Sequence, residues 1–97
     1  MKKEFLTAED TAQIIHSALE SFTGTKARLS EKTVKAISNR DKLSPRFILD
    51  LFEAVSEYGI VMASLDSGGF GVMWTRVLSA AKALTLSEEQ IQSMRHK

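Results

Sequence analysis

The spacing of apolar residues changes at Gly59, and this change divides the sequence into two kinds of secondary structure. Before Gly59, apolar side chains recur every three or four residues, as they do on one face of an α-helix. After it come two short runs rich in β-branched or aromatic residues, IVMASL at 60–65 and FGVMW at 70–74, joined by Asp-Ser-Gly-Gly. Two such runs across a short glycine-containing loop predict a β-hairpin. Helices followed by a hairpin predict a mainly helical α+β fold.

A Leu-Ser pair stands three times at the start of a helical pattern, in LSEKTV at 29–34, LSPRFI at 43–48 and LSEEQI at 86–91. In each case the serine is placed to cap the helix. The leucine before it and an apolar residue five positions later are placed as a hydrophobic staple. The three caps predict helices over about 31–40, 45–58 and 88–95.

Two more helices complete the prediction. Thr7 is placed to cap a first helix, whose apolar side runs from Ala8 to Phe22 and which ends at Thr23-Gly24. A further helix is predicted over roughly 75–84, directly after the hairpin. The widest apolar stripe belongs to the helix at 45–58, which is therefore the expected centre of the core and contributes Phe47, Ile48, Leu51, Phe52, Val55 and Tyr58.

Length and composition set limits on domain number and chemistry. Ninety-seven residues without a proline-rich linker predict one domain, 1–97, with a core at 8–74 and a C-terminal helical extension at 75–95. The chain has no cysteine and only two isolated histidines, so we expect no metal, no cofactor, no catalytic residues and no enzyme activity. The chain also has no apolar run of signal-peptide or membrane-helix length, which predicts a cytoplasmic protein with no membrane partner.

Charge is unevenly distributed although the net charge is only +1. Residues 26–46 contain seven basic and two acidic side chains, whereas residues 47–67 contain four acidic and no basic ones. A basic block around one predicted helix is a candidate electrostatic footprint for nucleic acid, and a solvated surface is the alternative. Contacts to phosphates and base edges are expected from Lys32, Thr33, Lys35, Asn39, Arg40, Lys42 and Arg46. Thr33, Asn39 and Arg46 are the expected source of sequence specificity.

Three stretches of sequence indicate the order of helices and hairpin: LSEKTVKAIS, LSPRFILDLFEAVSEYGIV and the turn DSGG. Over about residues 8–74 this order resembles the winged helix-turn-helix superfamily, in which a three-helix core is followed by a β-hairpin wing. Such families often have a short strand between the first two helices, and Lys26-Ala27-Arg28 is the expected place for it. The resemblance implies a small bacterial-type transcription regulator that binds double-stranded DNA.

Two helices compete as the one that contacts DNA. In the superfamily, the second helix of the pair usually enters the major groove by its N-terminal end, which would be the helix at 45–58. Its polar side, however, carries one cation and three carboxylates, Arg46, Asp50, Glu53 and Glu57, and leaves only the first turn suitable. The helix at 31–40 resembles the Ser-x-x-Thr-Val pattern at the start of recognition helices in bacterial regulators. The connection TGTKARL before it is longer than the turn that such helices follow.

The alternative function is a protein-protein interaction module that uses the acidic side of the helix at 45–58 or the apolar hairpin. Net charge near zero and the acidic helix at 45–58 favour this alternative, whereas the basic block and the Ser-x-x-Thr-Val pattern favour DNA. The hairpin turn, with Asp66 and no basic residue, is weak support for DNA contact, and the first strand is apolar in both alternations. A strand pair without a polar face needs cover on both sides. The C-terminal helices of the same chain, or a second copy of the chain, would supply it. A homodimer through the C-terminal helices or the hairpin is therefore a further expectation.

Overall fold

The computed structural model describes residues 4–95, and this part of the chain forms five helices and one three-stranded sheet. The predicted α+β class, with three helices, a hairpin and further C-terminal helices, is confirmed. In chain order the elements are α1 (Ala8–Ser21), β1 (Lys26–Leu29), α2 (Glu31–Ser38), α3 (Pro45–Ser56), β2 (Ile60–Ser64), β3 (Phe70–Trp74), α4 (Thr75–Ser79) and α5 (Glu88–Arg95).

The helices begin at the predicted caps. The hydroxyl oxygens of Thr7, Ser30 and Ser44 each accept a hydrogen bond of 3.1 Å from the backbone N–H group three residues later. At the start of α5 the cap is reciprocal. The N–H of Gln90 donates to the hydroxyl of Ser87, and the N–H of Ser87 donates to the side-chain oxygen of Gln90. These bonds satisfy helix N–H groups that have no partner within the helix.

Three helix ends differ from the prediction. Helix α2 ends at Ser38 instead of residue 40, because Asn39 takes the left-handed conformation with φ of 56° and caps the helix. Helix α3 ends at Ser56, two residues early. Gly59 then turns the chain into β2 with a positive φ of 75°. Helix α4 ends at Ser79 instead of residue 84. None of its residues is buried, so no packing supports a longer helix.

The sheet has the strand order β1-β3-β2, and both pairs of strands are antiparallel. Strand β3 therefore lies in the centre, with Phe70 opposite Leu29 on one side and Ser64 on the other. The expected short strand between the first two helices is present as β1. Because side chains alternate along a strand, the sheet has two distinct faces.

The inner face of the sheet packs against the helices. It contributes Ile60, Met62, Phe70 and Val72, all buried. The remaining buried apolar residues come from α1, α2 and α3, namely Ala8, Ala12, Ile15, Leu19, Val34, Phe47, Leu51, Ala54 and Val55. The prediction that α3 lies at the centre is confirmed. Two residues predicted on apolar stripes are exposed instead. Phe22 follows the last turn of α1, and Tyr58 lies beyond the end of α3.

The outer sheet face carries Lys26, Arg28, Val61, Ala63, Leu65, Gly71 and Met73, of which none is buried. Helices α4 and α5 bury none of their residues, so the expected cover from the same chain is not found in the part of the chain that the structure describes. Within residues 4–95, no helix has both the length and the apolar character needed to cross a membrane.

The tip of the hairpin lies against the start of α2, and glycine substitutions test this contact. A Cβ atom on Gly69 would lie 2.7 Å from the carbonyl oxygen of Leu29, whereas one on Gly68 would meet nothing within 4 Å. Both glycines have positive φ, of 76° and 97°. We expect Gly68→Ala to lower the free energy of unfolding by about 1–2 kcal/mol through backbone strain alone. Gly69→Ala should cost about 1–3 kcal/mol more. Equal losses in urea denaturation would contradict this close approach.

Candidate nucleic-acid interface

Helix α2 presents a polar side opposite its buried one. Val34 and Ser38 are buried, and the hydroxyl of Ser38 donates to the carbonyl oxygen of Val34 at 2.8 Å. Lys32 and Thr33 are exposed, and Lys35 is half-buried at the margin. The hydroxyl of Thr33 also lies 2.9 Å from that of Ser30. The polar side of the helix thus presents two lysines and the hydroxyl of Thr33, and this hydroxyl already contacts Ser30 at the N-terminal end of α2.

Three of the predicted contact residues are cations without a partner. The side-chain ammonium groups of Lys32, Lys35 and Lys42 form no hydrogen bond or ion pair with another residue of the range 4–95. Lys42 is exposed in the connection between α2 and α3. These three lysines are the lysine set of the candidate interface. An unpaired exposed ammonium group can approach a phosphate without first breaking an internal contact.

Arg40 and Asn39 have internal partners. The guanidinium of Arg40 donates to the carbonyl oxygen of Leu6 at 3.0 Å, and its central carbon lies 3.9 Å from the centre of the Phe47 ring and 5.1 Å from that of Phe5. The amide of Asn39 donates to the carbonyl oxygen of Glu4 at 2.6 Å. Both side chains therefore hold the segment before α1 against the end of α2. Their predicted contact with nucleic acid stays a prediction, but it would compete with these bonds.

Arg46 lies in the first turn of α3 and reaches back to its own helix. Its Nε atom is 3.3 Å from a carboxylate oxygen of Asp50, as expected for an i,i+4 pair. The Arg46 side chain is nevertheless 87% exposed. An ion pair with this exposure contributes little, of the order of 0.2–1 kcal/mol. Arg46 can thus leave Asp50 for an external anion at small cost.

The carboxylates of α3 form one wall of an acidic depression that the sequence did not reveal. This depression has a volume of about 480 Å³ and lies between α3 and the start of α1. Its acidic lining residues are Glu9, Asp50, Glu53 and Glu57. Glu9 is separated from the others by more than forty residues, so only the packing of α1 on α3 brings it there. Arg40 also lines the depression, but four carboxylates outweigh this one cation, so the lining is negative overall.

The basic block is also divided by the sheet. Lys26 and Arg28 point to the outer sheet face, because Ala27 and Leu29 of the same strand pack against the core. The helices pack on the opposite side of the sheet. The seven predicted residues therefore do not form one surface with the cations of β1. Lys32, Thr33 and Lys35 share α2, Lys42 and Arg46 follow in the next connection and turn, and Asn39 and Arg40 face the N-terminal segment.

His16 has a packing environment. Its ring centre lies 4.8 Å from that of Tyr58 and 5.5 Å from that of Trp74, and its Nδ1 atom is 3.5 Å from a carboxylate oxygen of Glu20. Among residues 4–95, no group of three His, Asp or Glu side chains could hold a metal ion. Aromatic packing accounts for the position of this histidine at the surface.

Arg40 offers a test of the internal contacts of the candidate interface. Arg40→Met keeps a long apolar stem but removes the bond to Leu6 and the stacked charge. Charged hydrogen bonds contribute about 1.5–3 kcal/mol and cation–π contacts about 0.5–2 kcal/mol. Because the side chain is half-buried, we expect a loss of about 1–3 kcal/mol in the free energy of unfolding, measured with urea. Lys42→Met, the matched control, should change it by less than about 0.5 kcal/mol. Equal effects would rule out the anchoring role of Arg40.

Comparison with known proteins gives no family for this arrangement. No protein-family model matches the chain, and neither does a curated protein or a solved structure. The candidate interface is therefore defined by this chain's own geometry, with the lysine set on α2 and the connection after it, and the carboxylates on α3.

Proposed function

We propose that this protein binds double-stranded DNA through α2 and the connection to α3, as a small transcription regulator without cofactor or catalysis. The observation that carries the proposal is the lysine set, Lys32, Lys35 and Lys42, which lies on α2 and the connection to α3 and whose ammonium groups have no partner among residues 4–95. Binding by unpaired lysines needs no rearrangement of internal contacts. Phosphates supply most of the sequence-independent affinity in protein–DNA complexes.

The arrangement of elements supports the same proposal. Three helices, a strand between the first two and a hairpin after the third follow the order of the winged helix-turn-helix superfamily, which the sequence resembles. The hairpin tip lies beside the start of α2, since Gly69 approaches Leu29. A duplex docked on α2 would therefore meet the hairpin tip as well. The only charged residue of that tip is Asp66, so the hairpin adds shape and no electrostatic attraction.

The proposed mechanism separates positioning from recognition. The lysine set holds phosphates, and the positive end of the α2 dipole adds to their field. Arg46 releases Asp50 and supplies a bidentate contact to a base edge or phosphate. Thr33 contributes a hydroxyl at the N-terminal end of α2, which is the positive end of the helix dipole. Asn39 and Arg40 act by holding the connection between α2 and α3 in place.

A salt series on a random duplex tests the proposal. Each phosphate contact contributes about −0.9 to the slope of log K against log[salt], so three contacts predict a slope of about −2.7. Lys32→Glu with Lys35→Glu should weaken binding and reduce the magnitude of the slope by about 2. Fluorescence anisotropy with a labelled duplex measures both. Undetectable binding at low salt would end the DNA proposal.

A matched control separates local contacts from net charge. Lys32→Glu and Lys82→Glu change the charge of the protein equally, but Lys82 lies after α4 and outside the candidate interface. Only Lys32→Glu should reduce the magnitude of the slope of log K against log[salt]. Neutralising a carboxylate of α3 by Glu53→Gln should raise affinity, because that side of α3 repels phosphate. Equal losses from the two lysine variants would mean that no local contact exists.

The acidic depression favours a second candidate function, the capture of a basic protein segment. Four carboxylates and one cation, Arg40, line a volume of about 480 Å³, and Asp50 already pairs with Arg46. The other three carboxylates offer acceptors to lysine or arginine side chains. An arginine-rich peptide is the probe, and Glu53→Gln with Glu57→Gln should weaken its binding at least tenfold. The same double variant should leave a DNA complex on α2 intact. Peptide binding without duplex binding would select this second function.

A further inference from the structure

The C-terminal arm, residues 75–95, leaves several large apolar side chains exposed to solvent. Five of the ten large hydrophobic residues that the structure leaves exposed lie in this arm: Leu78, Leu84, Leu86, Ile91 and Met94. Leu84 is 89% exposed. Helix α5 has eight residues and buries none of them. Isolated helices of this length are marginal in water, so α5 requires a surface to pack on.

The outer sheet face is a surface of the same character. A depression of about 500 Å³ lies on it, with Val61, Ala63, Leu65 and Met73 among its lining residues. Gly71 stands in the centre of β3 and has no side chain, which keeps the floor of the depression low. Lys26 and Arg28 border this apolar surface on β1. An apolar groove with two cations along one edge fits an amphipathic helix with acidic residues.

Helix α5 has this pattern. Ile91 and Met94 lie three residues apart and share one side of the helix. Glu88 precedes Ile91 by three residues and therefore flanks that side, while Glu89 adds a second carboxylate in the first turn. When the apolar side of α5 covers the depression, its acidic first turn can meet the cations of β1. The surfaces are thus complementary in both apolar character and charge.

We propose that two copies of the chain form a dimer by exchanging their C-terminal arms, so that α5 of each copy packs on the outer sheet face of the other. The arm extends away from its own domain. The radius of gyration is 17.1 Å, whereas a compact chain of this length has about 12.5 Å. The longest dimension is 63 Å against 29 and 22 Å for the other two. An extended arm reaches a neighbour, and mutual exchange closes the assembly at two copies.

The mass of the protein in solution gives the first test. Sedimentation equilibrium of the full chain should yield twice the chain mass of 10.8 kDa, with dissociation on dilution. Ile91→Gln with Met94→Gln should raise the dissociation constant at least 100-fold and lower helicity in circular dichroism, as α5 loses its support. Ile14→Gln removes an exposed apolar side chain from α1 and should leave the dimer unchanged. A monomeric wild-type chain, or a dimer indifferent to the α5 variant, would overturn the proposal.

Charge exchange distinguishes a second copy from packing within one chain. One variant carries Lys26→Glu with Arg28→Glu, and the other carries Glu88→Lys with Glu89→Lys. Each variant alone places like charges on the two surfaces and should be monomeric. In an equimolar mixture, every α5 can meet an oppositely charged sheet on the other variant, so a heterodimer should form. Packing within one chain leaves both variants mismatched, so a mixture that stays monomeric would refute exchange.

Both charge variants replace exposed residues, so we expect each of them to fold. Urea denaturation of each variant checks that its stability matches that of the unmodified chain. The exchange does not depend on the DNA proposal, because the outer sheet face and α2 lie on different sides of the molecule. A dimer with no affinity for duplex would reject DNA binding alone. A DNA-binding monomer would reject the exchange alone.

Discussion

The pairing of β3 with both other strands is the constraint on which the rest of the structure depends. Strand β1 has only four residues and follows a polar connection, so it forms a strand because β3 supplies its hydrogen-bond partners. This pairing places Leu29 opposite Phe70 and brings the start of α2 beside the hairpin tip. The inner side of β3 buries Phe70 and Val72 under the helices, where Phe70 meets the ring of Phe52 on α3. The position of α2 relative to the hairpin follows from this one ladder.

The same ladder divides the charge of the chain. A continuous basic stretch in the sequence becomes two separate surfaces, because alternation along β1 turns Lys26 and Arg28 outward while α2 lies on the inner side. Arg40 belongs to neither surface, because two aromatic rings and a carbonyl oxygen hold its guanidinium. Local charge density therefore overstates the cations available to any one partner. On the helix side of the sheet, the lysine set and the exposed Arg46 remain available to an anion.

The two proposals assign different tasks to these two surfaces. DNA binding by the lysine set would gain from the exchanged dimer, since two copies would double the number of phosphate contacts. At the candidate interface a single copy offers three unpaired lysines beside an acidic depression, which predicts weak binding by one domain. Joining two weak sites raises the effective affinity without any new contact to DNA. The outer sheet face, with its apolar floor and cationic edge, would then serve assembly.

The sequence by itself determined the local structure, because caps and turns depend on residues within five positions of each other. Thr7, Ser30, Ser44 and Ser87 cap their helices as predicted, and the Gly-containing turn forms the hairpin. Tertiary structure alone decided which side chains share a surface. The anchoring of Arg40 needs Phe5 and Leu6 from the segment before α1, and the acidic depression needs Glu9 beside α3. The apolar spacing in the sequence also did not reveal that, within residues 4–95, α4 and α5 leave the outer sheet face uncovered. Contacts across more than thirty residues are selected by packing, which periodicity does not encode.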